Sequence, residues 1–392
     1  MSSDGTPVNR RNVLKSTGSA IAVTATTGLA SADPGDVVEV NVGFDAQSGR
    51  DAAVQAADSV VREFNFDALT IEVAKRAVDG LRKRPDVRYV EHNGTMHALG
   101  ETTPWGIDRT DSDVAHANGE TGNGADVSII DTGIDSDHPD LQANIGKGKA
   151  FVECKGGPKD CRYAWDDDEG HGTHCAGTAD AVDNTEGVIG VSTEATLHAV
   201  KVLDNRGSGS FSDVAAGIEW TADQGYDVGS MSLGASSGSQ TVKDACQYAY
   251  DKGVLLVAAA GNDGPCSDCV GYPAAYSTVV AVSATSCDDT LASFSSTGPE
   301  VELAAPGEDV YSTVIGSYDT YSGTSMACPH VSGAGAQLMA NGASNTNARD
   351  TLKQNAESIG LGDNESGAGL LDTAAALGLD SSDDGTGDGP NC

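Results

Sequence analysis

This chain is short of three things. Aromatic residues make up 5 % of its 392 residues, with 3 Trp and 6 Phe. A core built from it must therefore rest on Ala, Val, Leu and Ile packed at close range. Basic residues are scarce, 23 Lys and Arg against 58 Asp and Glu, for a net charge of −35. That surface repels phosphate backbones and excludes nucleic acid as a partner. No apolar run is long enough to span a bilayer, so no membrane anchor is expected. No internal repeat is present, which excludes solenoids and propellers.

What is there begins with Gly323-Thr324-Ser325-Met326-Ala327-Cys328-Pro329-His330, which runs into an Ala/Gly-rich helix. The first N–H groups of a helix lack internal partners and carry partial positive charge. A serine placed there can attack a carbonyl while those N–H groups hold the oxyanion. Read alone, Thr324-Ser325 is also an ordinary helix N-cap. Upstream, the apolar run Val127 to Ile130 ends in Asp131 and then Gly133. This reads as a buried strand with an aspartate at its C-terminal tip, where α/β sheets place their chemistry, or as a plain Asp-x-Gly turn. Third, small residues crowd His171 in Gly170-His171-Gly172-Thr173-His174-Cys175-Ala176-Gly177. His171 and His174 also raise a metal, but no HExxH is present and no third ligand has suitable spacing.

Predicted strands near 126–130, 197–203, 227–231, 254–259 and 278–283 alternate with helices near 171–181, 211–224, 240–252 and 324–341. That alternation predicts an α/β fold with a doubly wound, mainly parallel sheet. A different serine motif, Gly234-Ala235-Ser236-Ser237-Gly238, follows a strand and suggests an α/β-hydrolase esterase. That fold needs its histidine downstream of the serine, and His330 is the only one there.

Taken together, and in the order Asp…His…Ser, the three segments resemble the subtilisin-like serine proteases, the subtilases; this is the chain order of subtilisin itself. The resemblance implies Ser325 as nucleophile, His171 as general base and acid, and Asp131 as the orienting carboxylate. A non-catalytic relative serving as a binding module is the other reading, but such proteins lose a triad residue and none is missing. Val254 to Ala260 followed by Gly261-Asn262 resembles the segment that supplies the oxyanion donor, implying that role for Asn262. The family's substrate cleft is matched by Ser208, Gly209 and Phe211 on an edge strand that pairs with extended peptides, and by Ser232, Leu233 and Gly234 on the facing strand. Gly261 and Gly271 match the first specificity pocket, implying room for large apolar side chains. Phe211, Val214 and Leu233 match an apolar pocket further along the peptide.

The resemblance also divides the chain. Residues 33–99 match a pro-segment, a small α+β unit that assists folding and then blocks the cleft. Alternation at Val37 to Val42 and helical spacing around Ile71 to Leu81 fit it. Cleavage is expected near Leu99–Gly100, which puts apolar Leu99 and Met96 in the two apolar pockets. The catalytic domain is expected over 100–378, as a monomer acting on protein and peptide substrates, followed by a disordered acidic tail over 379–392. The family often binds Ca²⁺. The matching donors are Glu101, Asp140 and Asn184, with the carbonyls of Val182, Glu186 and Val188, a hard oxygen set; a solvated acidic loop is the alternative. Nine cysteines suit an oxidising compartment and leave one odd. Cys154 with Cys161, and Cys266 with Cys269, are close enough in sequence to bridge. Cys175 resembles a buried thiol of the proteinase K branch, and Cys328 lies near Ser325. Cys246, Cys287 and Cys392 have no evident partner.

Residues 1–99 carry 11 basic and 13 acidic side chains, and residues 100–392 carry 12 and 45. Almost all the excess charge therefore lies in the catalytic part. The basic cluster Lys75, Arg76, Arg82, Lys83, Arg84 and Arg88 is placed to steer the pro-segment onto it. Arg10-Arg11-Asn12-Val13-Leu14-Lys15, a weakly apolar stretch and Ala30-Ser31-Ala32 read as a twin-arginine signal over 1–32, hence a secreted enzyme. The charge pattern resembles haloarchaeal secreted subtilases, the halolysins; an ordinary acidic secreted enzyme is the alternative. At roughly 1 M salt the Debye length shrinks to about 3 Å and self-repulsion is screened. Dialysis from molar to millimolar salt is expected to abolish both the circular dichroism signal and activity; retention of either would show that charge repulsion does not govern this fold.

Overall fold

The computed structural model describes residues 37–92, 101–156 and 161–381. They belong to two units, one within residues 1–98 and one within 99–392. The expected signal, the cleavage site near Leu99 and most of the acidic tail lie outside the described residues.

The first unit runs β1 (Val37–Phe44), α1 (Gln47–Ala56), β2 (Ala57–Phe64), β3 (Ala68–Ala74), α2 (Lys75–Arg82) and β4 (Val87–His92). Its sheet, ordered β2-β3-β1-β4, is antiparallel throughout. This is the α+β unit expected, with one correction. Ile71 is not helical: it sits in β3 opposite Val40 of β1. Leu69, Ile71 and Val73 are all fully buried. Their period of two, with two β-branched members, suits a sheet face, so helical spacing begins only at Lys75.

The second unit opens with two short helices, α3 (Trp105–Arg109) and α4 (Ser112–Ala117). Its seven strands are β5 (Asp126–Asp131), β6 (Lys149–Ala150), β7 (Thr196–Lys201), β8 (Val228–Met231), β9 (Leu255–Ala259), β10 (Val279–Thr285) and β11 (Val301–Pro306). They pair in the order β11-β10-β9-β8-β5-β7-β6, every pair parallel. The five strands β5, β7, β8, β9 and β10 split their apolar residues between two cores. Val127, Ile129, Leu255, Val257, Val280 and Val282 face the first, with α5 (His171–Asp180) and α8 (Thr324–Ala340). Ile130, Leu256, Ala258, Val279 and Ala281 face the second, with α6 (Phe211–Gln224) and α7 (Gln240–Asp251). A sheet buried on both faces reads as continuous apolar runs rather than alternation, as these strands do. The four principal helices and five strands fall within two residues of their predicted positions.

The chain passes from β5 to β7 on one side of the sheet and then to β8 on the other. The crevice at such a reversal, beyond the C-terminal strand ends, is where doubly wound sheets bind ligands. Several elements were not anticipated. β6 is two residues long. The hairpin β12 (Val310–Val314) and β13 (Ser317–Tyr321) is rich in Ser, Thr and Tyr, so its apolar signal is weak. Helix α9 (Asn345–Gln354) did carry a start signal, Ser344, whose side chain accepts from Asn347 N–H. Residues 207–211, read as an edge strand, make no strand: 207–210 are irregular and Phe211 opens α6. Cys154–Cys161 and Cys266–Cys269 form disulfides, and Cys287 is disulfide-bonded as well. Cys175, Cys246 and Cys328 are buried free thiols. Among the described residues no helix is long and apolar enough to cross a membrane.

Candidate active site

Asp131 ends β5 at the reversal point. One carboxylate oxygen accepts the Thr132 N–H (2.7 Å) and faces His171 Nδ1 at 2.8 Å. The aspartate side chain is 1 % exposed and the imidazole 26 %, so the pair is wet at one end only. The second carboxylate oxygen is buried with no hydrogen-bond partner among the described residues. His171 is the first residue of α5. Gly172 lets that helix end press against the strand tip: a Cβ there would stand 2.2 Å from the Gly133 carbonyl oxygen. Thr132 Oγ1 accepts the Gly172 N–H at 2.8 Å.

The loop before His171 is held by groups that sequence reading missed. Asp167 accepts from the N–H groups of Glu169, Gly170 and Thr173 and from the Thr173 hydroxyl, so it caps α5. Lys201, fully buried at the tip of β7, pairs with Asp168 at 2.7 Å and donates to the carbonyls of Thr132 and Leu203. A lysine closing an apolar strand was the available signal. The acidic run Asp166 to Glu169 is thus partly interior, not simply solvated.

Ser325 is the second residue of α8. Its hydroxyl donates to the Ser232 carbonyl (3.3 Å), not to the imidazole. Its own carbonyl accepts from Ser232 Oγ (2.7 Å) and Cys175 Sγ (3.5 Å). Cys175, one turn beyond His171, also lies 4.0 Å from the imidazole Nδ1, so both candidates lie against one thiol. Asn262 Oδ1 accepts from Thr324 N–H (2.9 Å) and Thr324 Oγ1 (3.0 Å), which fixes the amide plane. A Cβ built on Gly323 would lie 3.4 Å from Asn262 Nδ2 and 3.7 Å from Ser325 N. The side-chain and backbone donors thus border one small space.

Two cavities flank these groups. One of about 360 Å³ is lined by His171, Ser208, Gly209, Phe211, Val214 and Leu233, together with Glu169, Tyr272 and Tyr276, which were not foreseen. The other, about 370 Å³, is lined by Gly261, Asn262, Gly271 and Ser325. Ser232, Leu233 and Gly234 border both. The esterase alternative fails here. His330 is fully buried, with Nδ1 bonded to the Met326 carbonyl (2.9 Å), while Ser236 is exposed. His174 is structural: its Nε2 bonds the Val310 carbonyl at 3.1 Å and its ring stacks on Tyr321.

Of the residues expected to hold a cation, Glu101, Asp140 and Asn184 are in contact, while Asn184 Oδ1 accepts the Glu186 N–H at 2.6 Å. Asp140 accepts from Asn184 Nδ2 and Val188 N–H, both at 2.9 Å. Glu101 accepts the Asn184 N–H at 2.6 Å. Burial, helped by the nearby carboxylates of Asp183 and Asp140, pushes Glu101 up to about 7.

Burial acts to lower the His171 pKa, but the adjacent Asp131 carboxylate outweighs it and holds the imidazole well above 6.5. NMR titration of the His171 ring is expected to give a midpoint above 6.5, and Asp131→Asn to move it down; a midpoint indifferent to that change would break the coupling.

The subtilase family profile matches residues 122–385. Subtilisin E of Bacillus subtilis (strain 168) is 40% identical over 333 residues, covering 83% of this chain and 85% of that protein. An alkaline protease of Alkalihalobacillus alcalophilus is 42% identical over 321 residues, 81% of each. A thermostable alkaline protease of Halalkalibacterium halodurans is 43% identical over 305 residues, 77% of this chain and 81% of its own length. A family match over this span and identities of 40% and above over most of the chain show that it belongs to the subtilase family and is a serine endopeptidase.

Proposed function

We propose that Ser325, His171 and Asp131 form the catalytic triad of an exported, self-maturing endopeptidase that works in molar salt. The observation that carries the reading is the 2.8 Å contact between a nearly inaccessible carboxylate and a partly accessible imidazole. A serine hydroxyl is a weak nucleophile until a base takes its proton. Substrate entry turns the Ser325 hydroxyl from the Ser232 carbonyl to the imidazole. His171 Nε2 takes the proton as Oγ bonds to the scissile carbonyl carbon. Asp131 holds the Nδ1–H and stabilises the imidazolium. The new oxyanion accepts from Ser325 N–H and Asn262 Nδ2. His171 then protonates the leaving amine, and water repeats the sequence on the acyl-enzyme.

The substrate lies extended between residues 208–209 and 232–234, held by its backbone and therefore little dependent on sequence. The side chain before the scissile bond enters the cavity walled by Gly261 and Gly271, which favours large apolar groups. Phe211, Val214 and Leu233 take an apolar side chain further upstream. The enzyme acts as a monomer, is exported by the twin-arginine signal over 1–32, and removes its own residues 33–99. The halolysin-like charge makes the fold depend on salt.

We also propose a calcium site at Glu101, Asp140 and Asn184 with the carbonyls of Val182, Glu186 and Val188. The fit rests on convergence. The Asn184 amide nitrogen bonds both Asp140 Oδ1 (2.9 Å) and the Val182 carbonyl (3.4 Å), so two of the donors already point at one positively polarised group. Bound calcium supplies positive charge that pins the loop 182–188 to Asp140.

Ser325→Ala is expected to stay full length in molar salt and to ignore a fluorophosphonate probe, while wild type sheds residues 33–99 and is labelled; cleavage of the variant in the absence of added protease would end the reading. Asn262→Ala is expected to lower kcat about 10²–10³-fold with little change in KM, the magnitude known for the matching donor of subtilisin itself. Chelation at constant ionic strength is expected to lower the melting temperature of Ser325→Ala protein, and an unchanged value would leave salt alone as the stabiliser.

A further inference from the structure

We propose that the Cys266–Cys269 disulfide is a thiol-sensitive clamp on the wall of the cavity that receives the side chain before the scissile bond. The inference rests on the reading of that cavity given above. Asn262, Asp263 and Gly271 line it together with Ser325, and the disulfide closes the middle of the segment that joins them.

That segment has little else to order it. From Asp263 to Cys269 every residue is exposed or half-buried, and only Val270 packs on the core. Segments with few buried apolar contacts open at low cost. Four tethers hold it to the segment 294–297. Gly264 N–H donates to the Phe294 carbonyl at 2.8 Å, and Asp263 N–H to Ser296 Oγ at 3.2 Å. The remaining two belong to the half-cystines, and both end on Thr297. Cys269 N–H donates to its carbonyl (2.9 Å) and Cys266 C=O accepts from its hydroxyl (2.6 Å). Thr297 is itself buried. The disulfide thus makes two backbone tethers on one buried residue act together. Without it each opens alone.

The two half-cystines are only half-buried, whereas the free thiols Cys175, Cys246 and Cys328 are buried. A small dithiol reacts in two steps. One thiolate attacks a sulfur, the Cys266–Cys269 bond breaks, and a mixed disulfide forms. The second thiol of the reagent displaces the enzyme sulfur, leaving the reagent as its cyclic disulfide and the enzyme with two protonated cysteines. A looser wall discriminates less between large and small side chains, because that discrimination depends on a cavity held to shape. Asn262 is held separately by Thr324. Turnover itself therefore survives.

The test compares kcat/KM for two peptide substrates differing only in Leu or Ala before the scissile bond, with and without dithiothreitol, in molar salt. In wild type the Leu/Ala ratio is expected to fall by about fivefold or more on reduction, a fraction of what apolar pockets distinguish. C266S/C269S is expected to start at the low ratio and not respond, while C154S/C161S responds like wild type. Mass spectrometry after alkylation reports whether Cys266 and Cys269 were reduced. A bond that stays oxidised overturns the thiol sensitivity, and an unchanged ratio in active C266S/C269S overturns the clamp. Wild type that fluorophosphonate fails to label would instead overturn the catalytic reading beneath it.

Discussion

A carboxylate shut away from water and hydrogen-bonded to an imidazole that water can reach is the constraint around which the second unit is built. An ionised aspartate in the interior is costly unless its charge is met by hydrogen bonds or a partner. Here the Thr132 N–H and His171 meet it on one oxygen, and the other oxygen has no partner among the described residues. That shortfall is tolerable only if the imidazole stays in place. The contact of Gly172 with the Gly133 backbone, the cap that Asp167 gives α5, and the ion pair of Lys201 with Asp168 all serve that end. Together they lock the start of α5 to the tips of β5 and β7.

The same logic explains why the proposed nucleophile sits on a different helix. α8 crosses the first core beside α5, and its N-terminus emerges at the tip of β8. Ser325 therefore approaches from the far side of the reversal point. Two elements that never touch in sequence meet across a crevice that the strand order makes unavoidable. Cavities on both flanks then share the rim Ser232 to Gly234, so one backbone stretch borders both.

The lack of aromatics shapes the packing. Fully buried Ala and Gly let α5 and α8 lie close, and the few large rings are spent at contacts such as Tyr321 on His174, which seats the hairpin against α5. The surplus of acid is carried outside these cores, with exceptions where a carboxylate has a task. Asp180, wholly buried, is held far above the ordinary carboxylate range by desolvation, and its bonds to Asn144 and the Ala195 N–H fix the turn after α5.

Local pattern alone determined much of this protein. Apolar runs marked the strands, and the three motifs named Asp131, His171 and Ser325, because a buried strand or a glycine-framed turn writes its requirement into adjacent residues. Ile71 went wrong because a short window with leucine and valine satisfies a helical and a strand period alike until a partner strand decides. Tertiary structure alone decided which acids are interior, why Lys201 is buried, that Ser236 has no histidine, and that Thr297 holds both Cys266 and Cys269. Each of these depends on which distant backbone lies opposite a side chain. Distance along the chain carries no record of that until the sheet is assembled.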